Sequence, residues 1–541
     1  MSTGGRVAEG AVGRGLSPGV LAWAAGAGCL HAWSLAVPGL GQPVWGLQLV
    51  ALGWLVDRLR GVSTPDADQA PAGWVRAAAR GALLAWVFAT SALAATFWWL
   101  FISMHVYGGL AAPLAVAAVG ALAGGLALYY ALAGAVVSVC FWRFPGMKWS
   151  GAALIFAAAW TLAELARGRL LTGFPWGAGG YAHVDGPLAG YAPWLGVYGM
   201  GALAAVVATL LAGAIRAGRG GGVGTAVRLL AGVAAVALLP MASPAFTRSA
   251  GEMSVALLQG NIEQGEKFEP ARGIVDALQW YGERLRDSRA SLVVAPETAL
   301  PLLPEQLPPG YFDALERRFA EGEQAALIGL PLGNPVEGYT NSALGLAPGR
   351  AQPYRYDKHH LVPFGEFIPP MFRWFVDLMH IPLGDFRRGP LQASAFEWEG
   401  QRLAPNICYE DLFGEELAVR FARADAAPTA LVNLSNIAWF GDTVALAQHL
   451  QISRLRALEL ERPMLRATNT GVTAVIDHRG RVQAMLEPLT RGVLEARFDG
   501  RVGRTPYARW VAAWGLWPLA LVCFGVLLAV ALWSRRPRGV A

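Results

Sequence analysis

"LAPNICYEDLF", residues 403–413, carries an apolar run into a cysteine and then into two acidic side chains. A short apolar run of this kind reads as a buried strand, and a side chain at the end of such a strand can face a pocket. Working outward, "SVALLQGNI" (254–262), "LVVAPE" (292–297), "AALIGL" (325–330) and "ALVNLS" (430–435) have the same character. Between these runs, residues 271–287, 311–322, 414–425 and 444–462 show helical periodicity with charged outer faces. Residues 342–358 and 471–486 read as hairpins. Strands alternating with helices predict a layered α/β domain. Two of its strands, those ending at Glu297 and Cys408, finish on side chains with chemistry to offer.

The rest of the chain is of another kind. Its 541 residues exceed what one hydrophobic core supports, so at least two domains are expected. The chain is 54% hydrophobic and only 15% charged, against about 25% charged in an average soluble protein. Mean hydropathy is +0.38. Apolar runs near 18–37, 43–57, 81–104, 111–142, 150–166, 194–215, 226–243 and 508–534 predict eight membrane-spanning helices. The expected organisation is a seven-helix membrane domain over 1–245, an α/β domain over 246–507, and an eighth helix with a cytoplasmic tail over 508–541. The first apolar run lacks a convincing cleavage site and reads as a retained anchor.

The net charge of +6 does not imply nucleic acid, because the arginines cluster beside apolar runs. Arg58, Arg60, Arg76, Arg80, Arg143, Lys148, Arg216, Arg219, Arg228, Arg535, Arg536 and Arg538 fall in alternate connections or after the last span, whereas 38–42 and 105–110 carry no Lys or Arg. By the positive-inside rule both termini are cytoplasmic and the α/β insert lies outside the inner membrane, in the periplasm of a Gram-negative cell.

That compartment gives the cysteine a meaning. Cys29, Cys140 and Cys523 sit in apolar runs, and Cys408 is alone in the insert. It therefore has no partner for an intradomain disulfide, and is either a buried bystander or a reactive thiol. A thiol with an ordinary pKa of about 8.5 is mostly protonated at neutral pH, so a nucleophilic cysteine needs a base, and the oxyanion it creates needs a cation or N–H donor. The insert supplies Glu297 in "VVAPETALP", Lys358 and Glu366 in "YRYDKHHLVPFGEF", and Tyr409 and Glu410 beside Cys408. Singly, each has a bland reading: an exposed carboxylate, a surface charge, a loop residue. The ordered set Glu, Lys, Cys is the unusual feature.

In that order the insert resembles the nitrilase, or carbon–nitrogen hydrolase, superfamily. "TGFPW" (172–176) with the stretch that follows, "LSNIAWFGD" (434–442), "HLQISRLRALELERP" (449–463) and "ATNTGVTAVIDHRG" (467–480) resemble its membrane-embedded apolipoprotein N-acyltransferase family. The resemblance implies a nitrilase-like αββα sandwich carried by the eight-helix membrane domain. It implies Glu297 as general base, Lys358 as oxyanion cation and Cys408 as nucleophile, with Glu366 supporting Lys358 and with Tyr409, Glu410, Phe268 and Trp176 around the substrate. Two positions depart from the family pattern: Phe268 stands where Trp is usual, and Ile437 where Asp is usual.

The implied activity is a two-step acyl transfer. A membrane phospholipid would donate an acyl chain to Cys408, and the thioester would pass it to the α-amino group of a diacylglyceryl-cysteine at an apolipoprotein N-terminus. Neither metal nor cofactor is required, and a monomer in the lipid bilayer suffices. A membrane-tethered amidase with water as acceptor is the alternative; an inert transporter or lipid-binding scaffold is the third reading, against which the complete Glu-Lys-Cys set counts. The aromatic and proline-rich residues 359–390 read either as a self-packed loop or as an apolar lid containing Phe364, Phe367, Phe372, Trp374 and Phe375. His359 and His360, adjacent on an extended chain, point to opposite faces and do not make a metal site. Glu164 reads as a headgroup contact or as a buried partner of Arg167 or Arg169.

Overall fold

The computed structural model describes residues 16–63, 73–267, 269–350, 352–368 and 386–533. Among the described residues, seven α-helices of 16 residues or more precede the insert: α1 (Pro18–Trp33), α2 (Trp45–Val62), α3 (Gly73–Phe97), α4 (Ala112–Arg143), α5 (Trp149–Arg169), α6 (Ala192–Arg219) and α7 (Val223–Leu238). Where α3 crosses α4 the backbones nearly touch. A Cβ on Gly134 would lie 2.5 Å from Gly81 O, and one on Gly81 would lie 2.1 Å from Ser138 Oγ. Small residues permit this approach, which replaces the absent hydrophobic drive between membrane helices with close packing.

The number of spans corrects the expectation of eight. Among the described residues, five helices are long and apolar enough to cross a membrane, and six if a bent pair counts as one span. The run at 18–37 folds as α1, only 16 residues. At 1.5 Å per residue it reaches about 24 Å, short of a hydrocarbon core about 30 Å thick. The second run becomes α2, which carries Asp57, Arg58 and Arg60. The last run splits into two helices, Pro506–Trp514 and Trp517–Leu532, at an angle of 86°. The break falls at Gly515, whose φ is +59°. Apolar composition counts residues; it does not see where the backbone turns.

The insert forms two six-stranded sheets. In the first, β1 (Thr247–Gln259), β2 (Leu292–Ala295), β3 (Ala325–Asn334), β4 (Gly338–Leu346) and β5 (Tyr354–Asp357) lie in that order. The second is built from β6 (Phe396–Trp398), β7 (Gln401–Ile407), β8 (Ala430–Ser435), β9 (Met464–Thr468), β10 (Ala474–Ile476) and β11 (Val482–Met485). β12 (Gly492–Gly503) returns to the first sheet and pairs antiparallel with β1. Between the named strands, pairing is parallel in β1–β2–β3 and β7–β8–β9. Both expected hairpins form, 342–358 as β4–β5 and 471–486 as β10–β11.

Strand alternation builds three layers of core. Val255, Leu257, Val294 and Leu327 meet Leu403, Ile407, Val432 and Leu465 between the sheets. Ala256, Val293 and Ile328, on the other face of the first sheet, pack under α8 (Gly273–Asp287) and α9 (Tyr311–Ala320) through Tyr281, Leu285 and Phe319. The opposite face of the second sheet is covered by α10 (Gly414–Val419) and α11 (Val444–Leu460). This last layer does not face solvent. Leu412, Phe413, Leu446 and Ile452 share one buried cluster with Trp99 and Trp176 of the membrane half. The fourth layer of the αββα sandwich is also the joint between the two halves.

Candidate active site

Glu297 lies two residues beyond β2, and Cys408 directly follows β7. The C-terminal ends of parallel strands are where open α/β sheets hold ligands. Backbone geometry there is unusual: Thr298 has φ +48° and Cys408 φ +52°. Gly329 in β3 lets this corner close, since a Cβ there would lie 2.2 Å from Pro296 O and 2.8 Å from Glu297 Cα. Lys358 leaves the end of β5, anchored by its N–H donating to Asn341 O at 2.8 Å.

These elements bring four side chains into one buried cluster. Lys358 Nζ donates to Glu366 Oε1 at 2.9 Å and to Glu297 Oε1 at 3.3 Å. Asn341 Nδ2 donates to the same two oxygens, at 2.7 Å each. The remaining oxygens are held by backbone: Asn436 N–H donates to Glu297 Oε2 and Val362 N–H to Glu366 Oε2, both at 2.8 Å. Lys267 comes from behind, donating to Thr298 Oγ1 (2.6 Å) and Glu297 O (3.3 Å).

The electrostatics define a resting state. Burial pushes the Cys408 thiol up and the Glu297 carboxylate adds to this; Lys358 opposes them, and the thiol comes to rest at about 12. Burial also works to raise Glu297, but Lys358 and the Asn341 hydrogen bond outweigh it and hold the carboxyl below its ordinary value. Burial works to lower Lys358, and the Glu297 and Glu366 carboxylates overcome it, so its ammonium is held above its usual range. Lys267 is brought down to about 8, chiefly by burial. At neutral pH the site therefore holds a neutral thiol, a carboxylate and an ammonium.

Tyr409 and Glu410 turn away from each other in function. Glu410 is a staple: Oε1 accepts from the N–H of His359 (2.7 Å) and of His360 (3.1 Å), and Oε2 from Tyr356 OH (2.7 Å) and Ile407 N–H (2.6 Å). It ties the Lys358 loop to the Cys408 turn. Tyr409 OH donates to Gly173 O of the "TGFPW" loop at 3.2 Å. Trp176 is buried, with its indole N–H donating to Gln448 Oε1 at 2.8 Å. Glu164, also buried, accepts from Gly179 N–H at 2.9 Å, and Arg167 donates to Trp176 O at 2.7 Å. His359 Nδ1 lies 2.8 Å from Gly389 O and His360 Nδ1 3.0 Å from Glu416 Oε1. Ile437 is buried and packs where Gly471 leaves room. Phe268, and Phe372, Trp374 and Phe375 of the proposed lid, lie outside the described residues.

Sequence reasoning missed Asn341, Lys267 and the Asn436 backbone. Asn341 had no distinguishing signal, because it sits between Thr340 and Ser342 in the polar first half of its strand. A backbone N–H has none, because every residue but proline carries one.

Residues 27–210 match the apolipoprotein N-acyltransferase N-terminal domain family, and residues 254–507 match the carbon-nitrogen hydrolase family. The apolipoprotein N-acyltransferase of Verminephrobacter eiseniae is 56% identical over 520 residues, covering 92% of this chain and 93% of that protein. That of Ralstonia nicotianae is 47% identical over 482 residues, covering 87% and 88%. That of Bordetella bronchiseptica is 43% identical over 555 residues, covering 95% and 97%.

Proposed function

Because the chain belongs to the apolipoprotein N-acyltransferase family, we propose that it moves an acyl chain from a membrane phospholipid to the free α-amino group of a diacylglyceryl-cysteine, through a thioester on Cys408. The observation that supports this most is the cluster of Glu297, Lys358 and Glu366 acting electrostatically on a half-buried Cys408. The thiol is protonated at rest, so attack must be coupled to proton removal. Glu297, ionised at rest, takes the Sγ proton as sulfur adds to the ester carbonyl. Lys358 balances the oxyanion, while Asn341 and Glu366 keep its ammonium aimed. Collapse breaks the acyl C–O bond, and the lysophospholipid oxygen takes the proton from Glu297. In the second half the amine nitrogen adds to the thioester carbonyl, Glu297 receives its proton, and the C–S bond breaks to return the proton to sulfur.

The membrane half gives this chemistry its substrates. Tyr409, next to the nucleophile, is bonded to the loop between α5 and α6, so the reacting centre sits against the helices rather than away from them. In this reading the chain is a multi-pass inner-membrane protein with the insert on the periplasmic side. Five crossings before the insert leave it on the same face as seven would, since both numbers are odd.

Mass spectrometry of the purified protein after exposure to phospholipid tests the reading. An acyl adduct on the Cys408 peptide that disappears when diacylglyceryl-peptide is added, with N-acylated peptide appearing, is expected. Release of free fatty acid without acylated peptide would instead mark a hydrolase.

A further inference from the structure

Cys408 adopts a left-handed backbone conformation, φ +52°, which a residue bearing a Cβ keeps only where its surroundings impose it. A chain of polar side chains from β8, β9 and α11 meets this turn. The Cys408 carbonyl accepts from Asn433 Nδ2 at 3.3 Å, and Asn433 Nδ2 also donates to Asn406 Oδ1 at 2.7 Å. Asn433 Oδ1 accepts from Arg466 Nη1 at 3.5 Å. Arg466 goes on to donate to Ser453 Oγ (2.7 Å), Val472 O (3.0 Å) and His449 Nδ1 (2.7 Å). A guanidinium has no acceptor, so His449 must accept at Nδ1 and carry its proton on Nε2. That proton is donated to Asp411 Oδ1 at 2.9 Å, and Ser453 Oγ donates to Asp411 Oδ2 at 2.5 Å. Asp411 is three residues after Cys408 in the same turn (Cys408–Leu412), so the circuit closes on itself.

The circuit is sealed. Asp411 and Arg466 are 0% exposed and His449 1%. One buried cation and one buried anion balance, Arg466 Nη1 lying 3.6 Å from Asp411 Oδ2, with the His449 ring bonded to both, in surroundings where any missing partner is costly. From the membrane half the Trp176 ring stacks on His449, with centroids 5.5 Å apart and planes at 26°. Beside it, Gln448 accepts from Trp176 and from Trp99 Nε1 (3.1 Å) and donates to Thr96 O (3.0 Å).

We propose that Asp411, His449, Arg466 and Asn433 form a positioning unit for Cys408, which holds the turn at the angle Sγ needs to meet an acyl carbonyl and which the Trp176 stack locks to the membrane half. This rests on the reading of Cys408 as the nucleophile. The groups whose charge acts on that sulfur are Glu297, Lys358 and Glu366 around it, Lys267 behind Glu297, and Arg466 below. The role proposed for the four is to hold the backbone of Cys408, and Arg466 adds its charge to the sulfur from below.

The test uses the full-length protein in detergent with phosphatidylethanolamine as donor. Single-turnover acylation of Cys408 and iodoacetamide alkylation of the same peptide are followed across pH, in Arg466→Lys, Arg466→Gln and His449→Gln. Arg466→Lys keeps the charge but loses the forked donor set; His449→Gln keeps a donor to Asp411 but loses the stack. A misplaced nucleophile predicts acylation slowed by about tenfold to a hundredfold at unchanged donor KM. It also predicts that the alkylation pH profile moves by less in Arg466→Lys, where the charge remains, than in Arg466→Gln. Folded variants with wild-type acylation rate and alkylation profile would overturn the proposal. If neither Arg466→Lys nor His449→Gln folds, the unit is a stability element only and the proposal falls. Absence of any acyl adduct on wild-type Cys408 sinks the functional reading; a wild-type adduct with unaltered variants sinks this inference alone.

Discussion

The Glu297 carboxylate makes the Cys408 thiol harder to ionise, and that effect is testable one residue at a time. The Glu297 carboxylate is one of the forces holding the thiol near 12, after burial itself. Glu297→Gln removes that charge and the proton acceptor together. Alkylation of Cys408 at pH 8–9 is expected to become faster, because the thiol ionises more readily, while acylation by phospholipid falls by about 10²–10⁴-fold. Peptide-level mass spectrometry reads both, and a parallel rise or a parallel fall would contradict the assignment. Lys358→Met should act oppositely on the thiol, raising it further and slowing alkylation. The sign follows from the cation: Lys358 favours thiolate, so its loss favours thiol. Glu410 makes a different prediction. Its carboxylate answers four donors, so Glu410→Ala leaves buried N–H and O–H groups unpaired, each costing about 1–3 kcal/mol. A large fall in thermal stability, not only in rate, is expected.

Elements place those residues, and two kinds of element do it. Strand ends carry Glu297 and Cys408 to one corner, and helix packing sets the corner against the membrane half. Gly134 marks how closely α3 and α4 must approach for that. Gly134→Leu would push the two helices apart and is expected to cost several kcal/mol, in the range of severe overpacking. Thermal unfolding in detergent measures it, and an unchanged midpoint would show that the crossing tolerates separation. The strands and long amphipathic helices of the insert could be read from period alone: α8, α9 and α11 lie where their patterns predict. β9 and β12 could not. β9 is buried on every residue, so no alternation announces it, and β12 alternates weakly between buried and exposed positions.

At the scale of the molecule, the insert is not an independent body hung from a membrane anchor. Its α10–α11 layer shares a buried cluster with Trp99 and Trp176, and Glu459 Oε1 accepts from Val197 N–H at 2.6 Å at the break in α6. Residues 246–507 expressed alone would expose this apolar layer. Aggregation, or recovery only in detergent, is expected on size-exclusion chromatography; a monodisperse soluble fragment would argue against a shared core. The orientation has its own test. A cysteine placed at Val336, 87% exposed on a hairpin tip, should react with a membrane-impermeant thiol reagent in cells whose outer membrane is permeabilised. One placed at Arg219, at the end of α6, should not.

The sequence by itself determined the α/β class of the insert and the apolar, helical class of the rest, and it singled out Glu297, Lys358, Glu366 and Cys408, which the fold gathers at one corner. Period-two and period-3.6 patterns are local, and a lone cysteine at a strand end is visible without neighbours. Tertiary structure alone decided how many apolar runs are long enough to span. Run-length cannot report a helix that stops after 16 residues or bends by 86° at Gly515. It alone decided, too, that Asn341 and the Asn436 N–H hold Glu297, and that Asp411, His449 and Arg466 close a circuit under Cys408. Hydrogen bonds between residues tens of positions apart depend on which strands become neighbours, and that is settled only when the sheets and the membrane helices pack.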